Sequence, residues 1–211
     1  MHKVSLGLLV LAFIAGSISP ATGQVAVGAR GGVNFSNLNV TENGEAPEIP
    51  YESRTGLLLG ATLGVNVTPW LALQLGGQYS QAGTSQDDGD VSGQLRLSYL
   101  DVPLVAKVYI PTKGSPVMPY LYAGGFVGFE VDCSLRLEGT VTVELDCETA
   151  GLEQETNYGA VFGGGTDVRV GPGALTLDVE YALGLRNIAD DPDVEAHSRV
   201  FSIAVGFKVF P

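Results

Sequence analysis

The feature that most constrains this chain is a period-two alternation of large apolar residues with small or polar ones, sustained over long segments. In one such segment, Leu57, Leu59 and Leu63 alternate with Gly60 and Thr62. Because side chains of a β-strand point alternately to its two faces, this pattern predicts strands with one apolar face. Eight segments show it, at residues 25–37, 55–67, 70–82, 93–110, 118–131, 156–170, 174–186 and 199–210.

Most of these segments are far longer than the roughly five or six residues of a typical globular strand, and their length suits strands that cross a membrane at a tilt. The connections between them alternate in kind. Short ones rich in Gly and Pro lie at 68–69, 111–116 and 171–173, and long polar ones lie at 38–54, 83–92, 132–155 and 187–198. We therefore predict an all-β fold, an eight-stranded antiparallel up-and-down transmembrane β-barrel.

The start of the chain has the organisation of an export signal. A basic start at Lys3 precedes an apolar run over Leu6–Ile14, and Ala21 and Gly23 form a small-x-small cleavage site. The apolar run is too short for a membrane-spanning helix. We predict a signal peptide over residues 1–23, removed on export, and a barrel domain over residues 24–211.

The charges separate between loops and strands. The formal net charge is -12, which excludes binding of nucleic acid through a basic face. Of the 23 acidic residues, 18 fall in the four long predicted loops. The remaining five acidic residues fall in predicted strands, and so do five basic residues. All ten are on the side opposite to the large apolar residues: Arg30, Arg96, Asp101, Lys107, Glu130, Asp167, Arg169, Asp178, Glu180 and Lys208.

This balanced set predicts an ion-pair network inside the barrel, because an unpaired buried charge costs several kcal/mol. Eight strands enclose an interior that side chains can just fill, so we interpret the network as a plug and not as an aqueous pore. A proton or ion path through the plug is the alternative. The apolar face then points to lipid, with aromatic residues available for interfacial girdles: Trp70, Tyr79, Tyr99, Tyr158, Tyr181 and Phe207.

The third long loop has a pattern of its own. Between Cys133 and Cys147 the apolar residues alternate on both sides of Glu138 and Gly139, which predicts a small hairpin. An exported chain favours a disulfide between the two cysteines, and closing a loop of this size contributes about 3 kcal/mol. We expect the disulfide to steady the exposed loop.

Two irregularities are predicted in the fourth strand. Proline has no backbone N–H to donate, so Pro103 indicates a bulge or irregular pairing. The residues that share the inward side also shift in parity between Ser98 and Asp101, which predicts a bulge near Leu100.

Several segments resemble the PorT-like outer-membrane β-barrel family of Gram-negative bacteria. They are the first strand, Gly28-Ala29-Arg30-Gly31-Gly32-Val33-Asn34-Phe35-Ser36-Asn37-Leu38, the stretch Tyr99-Leu100-Asp101-Val102-Pro103-Leu104-Val105-Ala106-Lys107, and later strands from Asn157-Tyr158-Gly159 to Gly163-Gly164-Gly165 and Tyr181–Ile188. The resemblance covers essentially the whole mature chain. It implies an eight-stranded porin-like barrel inserted into outer-membrane lipid by the assembly machinery, with no catalytic residues to transfer.

The sequence gives little sign of catalysis or of a cofactor. The mature chain has one histidine, His197, in the fourth long loop, and no phosphate-binding loop or zinc spacing occurs. The acidic clusters at Asp87–Asp90 and Asp190–Asp193 lack the spacing of a defined calcium loop, so calcium or other divalent-cation contacts stay an alternative to a hydrated surface. We expect no enzyme, no cofactor and no resident metal.

From these observations we predict an outer-membrane protein with both ends in the periplasm and four acidic loops outside. Its role is structural or interaction-based, with extracellular protein contacts through the third loop as one form of it. Two other classes stay open: a narrow, porin-like channel for small solutes, and a barrel enzyme that would depend on His197.

Overall fold

The computed structural model describes residues 25–42, 52–87, 92–112, 114–138, 143–146, 156–186 and 194–210. The strands are β1 (Val25–Glu42), β2 (Glu52–Thr68), β3 (Leu71–Asp87), β4 (Ser92–Tyr109), β5 (Val117–Glu138), β6 (Val143–Asp146), β7 (Thr156–Val170), β8 (Gly173–Gly184) and β9 (Val194–Val209). The predicted signal peptide lies outside the described residues and stays a prediction. Within them, no helix is long and apolar enough to span a membrane.

Eight strands close into one antiparallel barrel. Neighbouring strands follow the order β1-β2-β3-β4-β5-β7-β8-β9. The ring is closed by the pairing of β9 with β1, which runs from Val27–Val209 to Glu42–Val194. Closure removes the free edges of the sheet, so all eight strands have a neighbour on both sides. The predicted fold class, an eight-stranded antiparallel up-and-down barrel, is confirmed.

The two ends of the barrel differ. At one end, here called the turn end, Pro69 and Trp70 join β2 to β3, residues 110–116 join β4 to β5, and Gly171 and Pro172 join β7 to β8. Gly171 has a φ of 58°, a conformation that costs glycine little and lets a two-residue turn reverse the chain. Both described termini also lie here. The opposite end, the loop end, carries the four long connections.

A short hairpin extends β5 beyond the ring at the loop end. β6 pairs with the end of β5 in antiparallel register, with Ser134 opposite Asp146 and Leu137 opposite Val143. The same part of β5 continues its pairing with β4, up to Ser92 opposite Glu138. The predicted hairpin is therefore confirmed, and β6 forms the edge of a projection made of β3, β4, β5 and β6.

The outer surface of the barrel is apolar. Large side chains such as Leu104, Leu121 and Val205 are 57%, 63% and 62% exposed on it, whereas Asp167 and Asn34 are fully buried on the inner side. A water-soluble barrel would have the opposite arrangement. The outer surface therefore fits a lipid environment, and the predicted outward direction of the apolar face is confirmed.

The pairing of β4 is irregular at both predicted places. The ladder between β3 and β4 pairs Leu75 with Leu104 and resumes at Gln78 with Asp101, so the residues around Pro103 are skipped. A register shift between β4 and β5 lies at Ser98 and Tyr99, close to the predicted position, but the additional residue is Val131 of β5, so the bulge is in the neighbouring strand and not in β4.

One prediction about the outer surface is wrong. Tyr99 was expected in an interfacial girdle, but it lies on the inner side and is 8% exposed. The reason is that it shares the inward parity of Asp101 and Lys107 on β4 and pairs with the inward-facing Ser80 of β3. Trp70, Tyr158 and Phe207 do lie exposed on the outer surface.

The depth of the outward positions can be measured with arginine substitutions along β2. We expect Leu63→Arg, midway along the apolar stretch of this strand, to lower the free energy of unfolding by about 2–4 kcal/mol in phospholipid vesicles. Thr55→Arg, on the same face near the loop end, should cost about 0–1 kcal/mol. Urea unfolding followed by tryptophan fluorescence measures both. Equal costs at the two positions would contradict the membrane-spanning assignment.

Candidate functional site

The inside of the barrel holds the charged residues that the sequence assigns to strands. The outward positions of each strand are apolar, so the alternate positions carry the polar and small residues inward. Six of the ten predicted network residues form three ion pairs, stacked along the inside from the turn end towards the loop end: Lys208–Asp167, Lys107–Asp178 and Arg30–Glu180.

The ion pair nearest the loop end joins β1 to β8. The Arg30 guanidinium lies 3.0 Å from Glu180 Oε2, and both side chains are almost completely enclosed. The same guanidinium donates to the side-chain oxygen of Gln78 on β3. Tyr122 on β5 donates its hydroxyl to Glu180 Oε2 at 3.0 Å. Four strands therefore meet through one buried charge pair.

The middle ion pair joins β4 to β8. Lys107 Nζ lies 3.8 Å from Asp178 Oδ1. Tyr120 on β5 donates its hydroxyl to the same carboxylate oxygen at 2.6 Å, and its ring centroid lies 4.2 Å from the ammonium nitrogen. The tyrosine thus contacts both charges, one through its hydroxyl and the other through its ring face.

The ion pair nearest the turn end joins β9 to β7. Lys208 Nζ donates to Asp167 Oδ2 and, at 3.0 Å, to the hydroxyl oxygen of Tyr109 on β4. Asp167 is fully buried, but no donor among the described residues lies within hydrogen-bonding distance of its second oxygen, Oδ1.

Each of the three ion pairs therefore has a tyrosine partner, and the sequence analysis missed all three tyrosines. A signal was present: Tyr109 shares its parity with Lys107, and Tyr120 and Tyr122 share theirs with Glu130 on the same strand. The tyrosines were overlooked because an aromatic residue in a membrane strand is expected on the lipid side.

The other four predicted network residues are not members of these three ion pairs, although Gln78 links Asp101 to Arg30. The side chains of Gln78 and Ser80 hydrogen-bond to the Asp101 carboxylate. Arg96 and Glu130 both have interaction partners. Arg169 is exposed at the turn end, and its guanidinium carbon lies 5.8 Å from the ring centroid of Phe210.

An uncharged polar cluster fills the barrel beyond the ion pairs. Asn34 donates to Ser80 at 2.8 Å and accepts from Ser202 at 2.8 Å, which links β1 to β3 and β9. Nearby, Ser36 donates to the carbonyl oxygen of Gly83 at 2.8 Å. Asn34 is fully buried, so these bonds offset the cost of removing its amide from water.

Two glycines of β7 make room for two of the tyrosines. Gly165 lies opposite Tyr120 in the β5–β7 ladder, and Gly163 lies opposite Tyr122. A methyl group added at Gly165 would lie 2.8 Å from the Tyr120 hydroxyl oxygen, and one added at Gly163 would lie 2.7 Å from the Tyr122 ring. The absence of side chains at these positions lets the rings cover the strand and reach the carboxylates.

The space left inside is uneven. A cavity of about 540 Å³ opens at the turn end, lined by charged, polar and apolar side chains that include Arg169, Asp167 and Phe210. Further in, the spaces between the described side chains include cavities of about 40, 20 and 10 Å³. We call the large cavity the vestibule.

The predicted disulfide cannot be traced as a pair, because Cys147 lies outside the described residues. Cys133 is half-buried on β5, opposite Leu97 of β4. Its chain neighbour Ser134 faces Asp146, the chain neighbour of Cys147. The disulfide stays a prediction, and this register is compatible with it.

His197 lies on β9, opposite Asn39 of β1, and not in a loop as predicted. The strand begins at Val194, three residues before it. In the part of the chain that the structure describes, no group of three or more His, Cys, Asp and Glu side chains is arranged to hold a metal ion.

The tyrosine contacts can be tested by removing a single hydroxyl group. We expect Tyr120→Phe to lower the free energy of unfolding by about 1–3 kcal/mol, because the buried Asp178 carboxylate loses a hydrogen-bond donor. Tyr158→Phe, on the exposed outer surface, is the matched control and should change it by less than about 0.5 kcal/mol. Urea unfolding in vesicles measures both, and an equal effect would exclude a special role for Tyr120.

The glycine positions give an independent test of the same packing. We expect Gly165→Ala to destabilise the barrel by about 1–3 kcal/mol, since the added methyl group meets both the backbone carbonyl oxygen of Leu177 and the Tyr120 ring. Gly77→Ala is the control, because a methyl group there would have no neighbour within 4 Å. The temperature at which the folded form disappears in unheated-versus-boiled gel electrophoresis ranks the variants. A Gly165→Ala barrel as stable as Gly77→Ala would contradict the packing argument.

Comparisons with known proteins agree with this architecture. The sequence profile of a family described as outer membrane protein beta-barrel domain matches residues 17–190. A comparison with curated proteins found no match.

Two solved structures show the same fold. Neisserial surface protein A (NspA) superposes with a TM-score of 0.52 at 18% identity, covering 89% of this chain and 97% of the other. OprG of Pseudomonas aeruginosa superposes with a TM-score of 0.54 at 12% identity, again covering 89% of this chain and 97% of the other. Together with the family match over most of the sequence, the closed barrel and its apolar outer surface lead to one conclusion: this chain belongs to the outer membrane protein beta-barrel domain family.

Proposed function

We propose that this outer-membrane barrel has a structural or interaction role and does not conduct solutes. The observation that carries the proposal is the stack of three ion pairs across its interior, each with a tyrosine partner. Their side chains come from β1, β4, β5, β7, β8 and β9, so they cross the region through which a solute would have to pass.

The energy of these contacts supports a closed interior. Removing one member of a buried ion pair typically costs about 3–5 kcal/mol, because the other charge is left uncompensated. A solute path would need at least the Arg30–Glu180 and Lys107–Asp178 pairs to separate together. The cavities of about 40, 20 and 10 Å³ that lie between the described interior side chains are too small to form such a path.

The interaction role is proposed for the loop end. The projection of β3, β4, β5 and β6 lies at this end, and the predicted disulfide would brace it at its base. Most of the acidic residues lie in the long connections or in the loop-end parts of the strands next to them. With acidic loops at this end, the barrel would serve membrane integrity or adhesion, or would contact an extracellular protein or divalent cations.

The location proposed for the chain follows the same reasoning. A cleaved signal peptide, insertion by the outer-membrane assembly machinery and periplasmic termini would place the turn end in the periplasm and the acidic loops outside the cell. This proposal includes a PorT-like assignment within the family, because particular strands resemble those of PorT-like proteins.

A narrow channel is the second candidate, and the vestibule is the observation that favours it. An opening of about 540 Å³ at one end of a barrel resembles the entrance to a pathway. It continues inward only as far as the Lys208–Asp167 pair, both members of which line it.

Planar bilayer recordings separate the two candidates. We expect the purified, refolded barrel to give no steady ohmic current at moderate voltage, because its interior is filled by side chains. A gel-shift assay on the same preparation confirms that the inserted protein is folded. A steady current proportional to voltage, seen with the folded preparation and absent with empty bilayers, would establish the channel and overturn the structural role.

A further inference from the structure

The outer surface of the barrel carries a continuous row of aromatic side chains on four neighbouring strands. Phe35 of β1 lies opposite Phe201 of β9, and their ring centroids are 6.2 Å apart. Phe201 lies opposite Tyr181 of β8, whose ring centroid is 5.4 Å from that of Phe162 on β7. Aromatic residues of membrane barrels gather where the hydrocarbon meets the lipid headgroups. We call these four residues the aromatic row.

Beyond the aromatic row, the outer face of β9 becomes basic. Arg199 is the next outward position after Phe201 towards the loop end, and its side chain is exposed. It makes no hydrogen bond or ion pair within the part of the chain that the structure describes. A charged side chain at the edge of the hydrocarbon layer pairs with an oppositely charged group or reaches for the interface. Arg199 therefore presents its donors at the level of the headgroups.

His197 adds a second donor on the same face. It is the next outward position of β9 and is half-buried. Its Nδ1 atom is enclosed, whereas Nε2 is not enclosed and makes no hydrogen bond to a described residue, so Nε2 is the atom that a ligand can reach. Across the strand pair, Asn37 of β1 lies opposite Arg199 and is exposed. We call Asn37, His197 and Arg199 the belt site.

The surroundings of the belt site decide what kind of anion can reach it. The chain has a formal net charge of -12, and most of its acidic residues lie at the loop end. A dissolved anion or an acidic protein that approaches from the water is therefore repelled. An anion that belongs to a membrane lipid arrives laterally, and its acyl chains then lie on the aromatic row. The belt site thus fits a lipid headgroup.

The donors of the belt site suit a phosphate monoester. A guanidinium forms paired hydrogen bonds with phosphate oxygens. A monoester has three terminal oxygens and a second ionisation close to neutral pH, so it can accept from a guanidinium, an imidazole and an amide together. A phosphodiester has fewer terminal oxygens and less charge, and it leaves one of these donors without an acceptor.

We propose that the belt site binds a lipid of the outer leaflet whose sugar headgroup carries a phosphate monoester. The phosphate accepts from Arg199 and His197, and the acyl chains pack against the aromatic row. The proposal rests on the proposed placement of the loop end outside the cell. It goes beyond the proposed role, because the partner is a lipid of the surrounding membrane and not a molecule that the loops contact.

Native mass spectrometry of the folded full-length barrel tests the class of lipid. The protein is released from micelles that contain lipid A, which carries phosphate monoesters, with equal amounts of dephosphorylated lipid A and of the phosphodiester phosphatidylglycerol. We expect lipid A to be retained at least about fivefold more often than either of the others, because only it offers the monoester. Equal retention of the dephosphorylated form would show that the phosphate is not recognised, and equal retention of phosphatidylglycerol would show a general anionic surface. Either result would overturn the proposal.

Variants assign the contact to its residues. We expect Arg199→Gln to lower the retention of lipid A at least about fivefold, with partial recovery in Arg199→Lys, which keeps the charge but loses the fork of donors. His197→Phe keeps a ring without a donor and should lower retention about two- to fivefold. The matched control Arg169→Gln removes an exposed arginine at the turn end and should leave retention unchanged.

The gel shift shows whether each variant is folded. Full retention of lipid A by folded Arg199→Gln would overturn the belt site, and so would an equal loss in Arg169→Gln. A steady current in planar bilayers bears only on the closed interior, so the two proposals fail independently.

Discussion

The structure depends on one constraint: in a hydrocarbon layer, every backbone N–H and C=O must find its partner within the protein. Pairing of β9 with β1 meets it by closing the sheet into a ring. Closure in turn fixes the two faces of every strand. The outer face must be apolar, and every polar side chain in the spanning region is directed into a narrow interior, where the charges have to neutralise one another.

The tyrosines explain how this neutralisation also sets the cross-section of the barrel. The carboxylates of Asp178 and Glu180 come from β8, whereas Tyr120 and Tyr122 come from β5, on the far side of β7. Each hydroxyl therefore spans a strand to reach its partner, and the glycines of β7 leave the space. A hydrogen bond between side chains of adjacent strands would stabilise one seam, whereas these bonds hold three strands at a fixed curvature.

The sequence predicts the fold well because the period of two is local and strong. It indicates the barrel, its turns, the hairpin before Cys147 and the irregularity at Pro103. It also places charges such as Lys107 and Asp178 on the inner side. It does not give the pairing of charges, which depends on strand stagger across the ring. It misplaces Tyr99, which shares the inward parity of Asp101 and Lys107, because an aromatic residue of a membrane strand is expected at the interface with lipid.

The interruption opposite Pro103 has a consequence for how the barrel opens. Between the pairs Leu75–Leu104 and Gln78–Asp101, the β3–β4 seam has a short stretch without ladder pairing. Cooperative sheets separate first where inter-strand hydrogen bonds are fewest. Amide protons beside this gap should therefore exchange with solvent deuterium ahead of those along the continuous β1–β9 seam, so the wall of the barrel can open locally here while the ring stays closed.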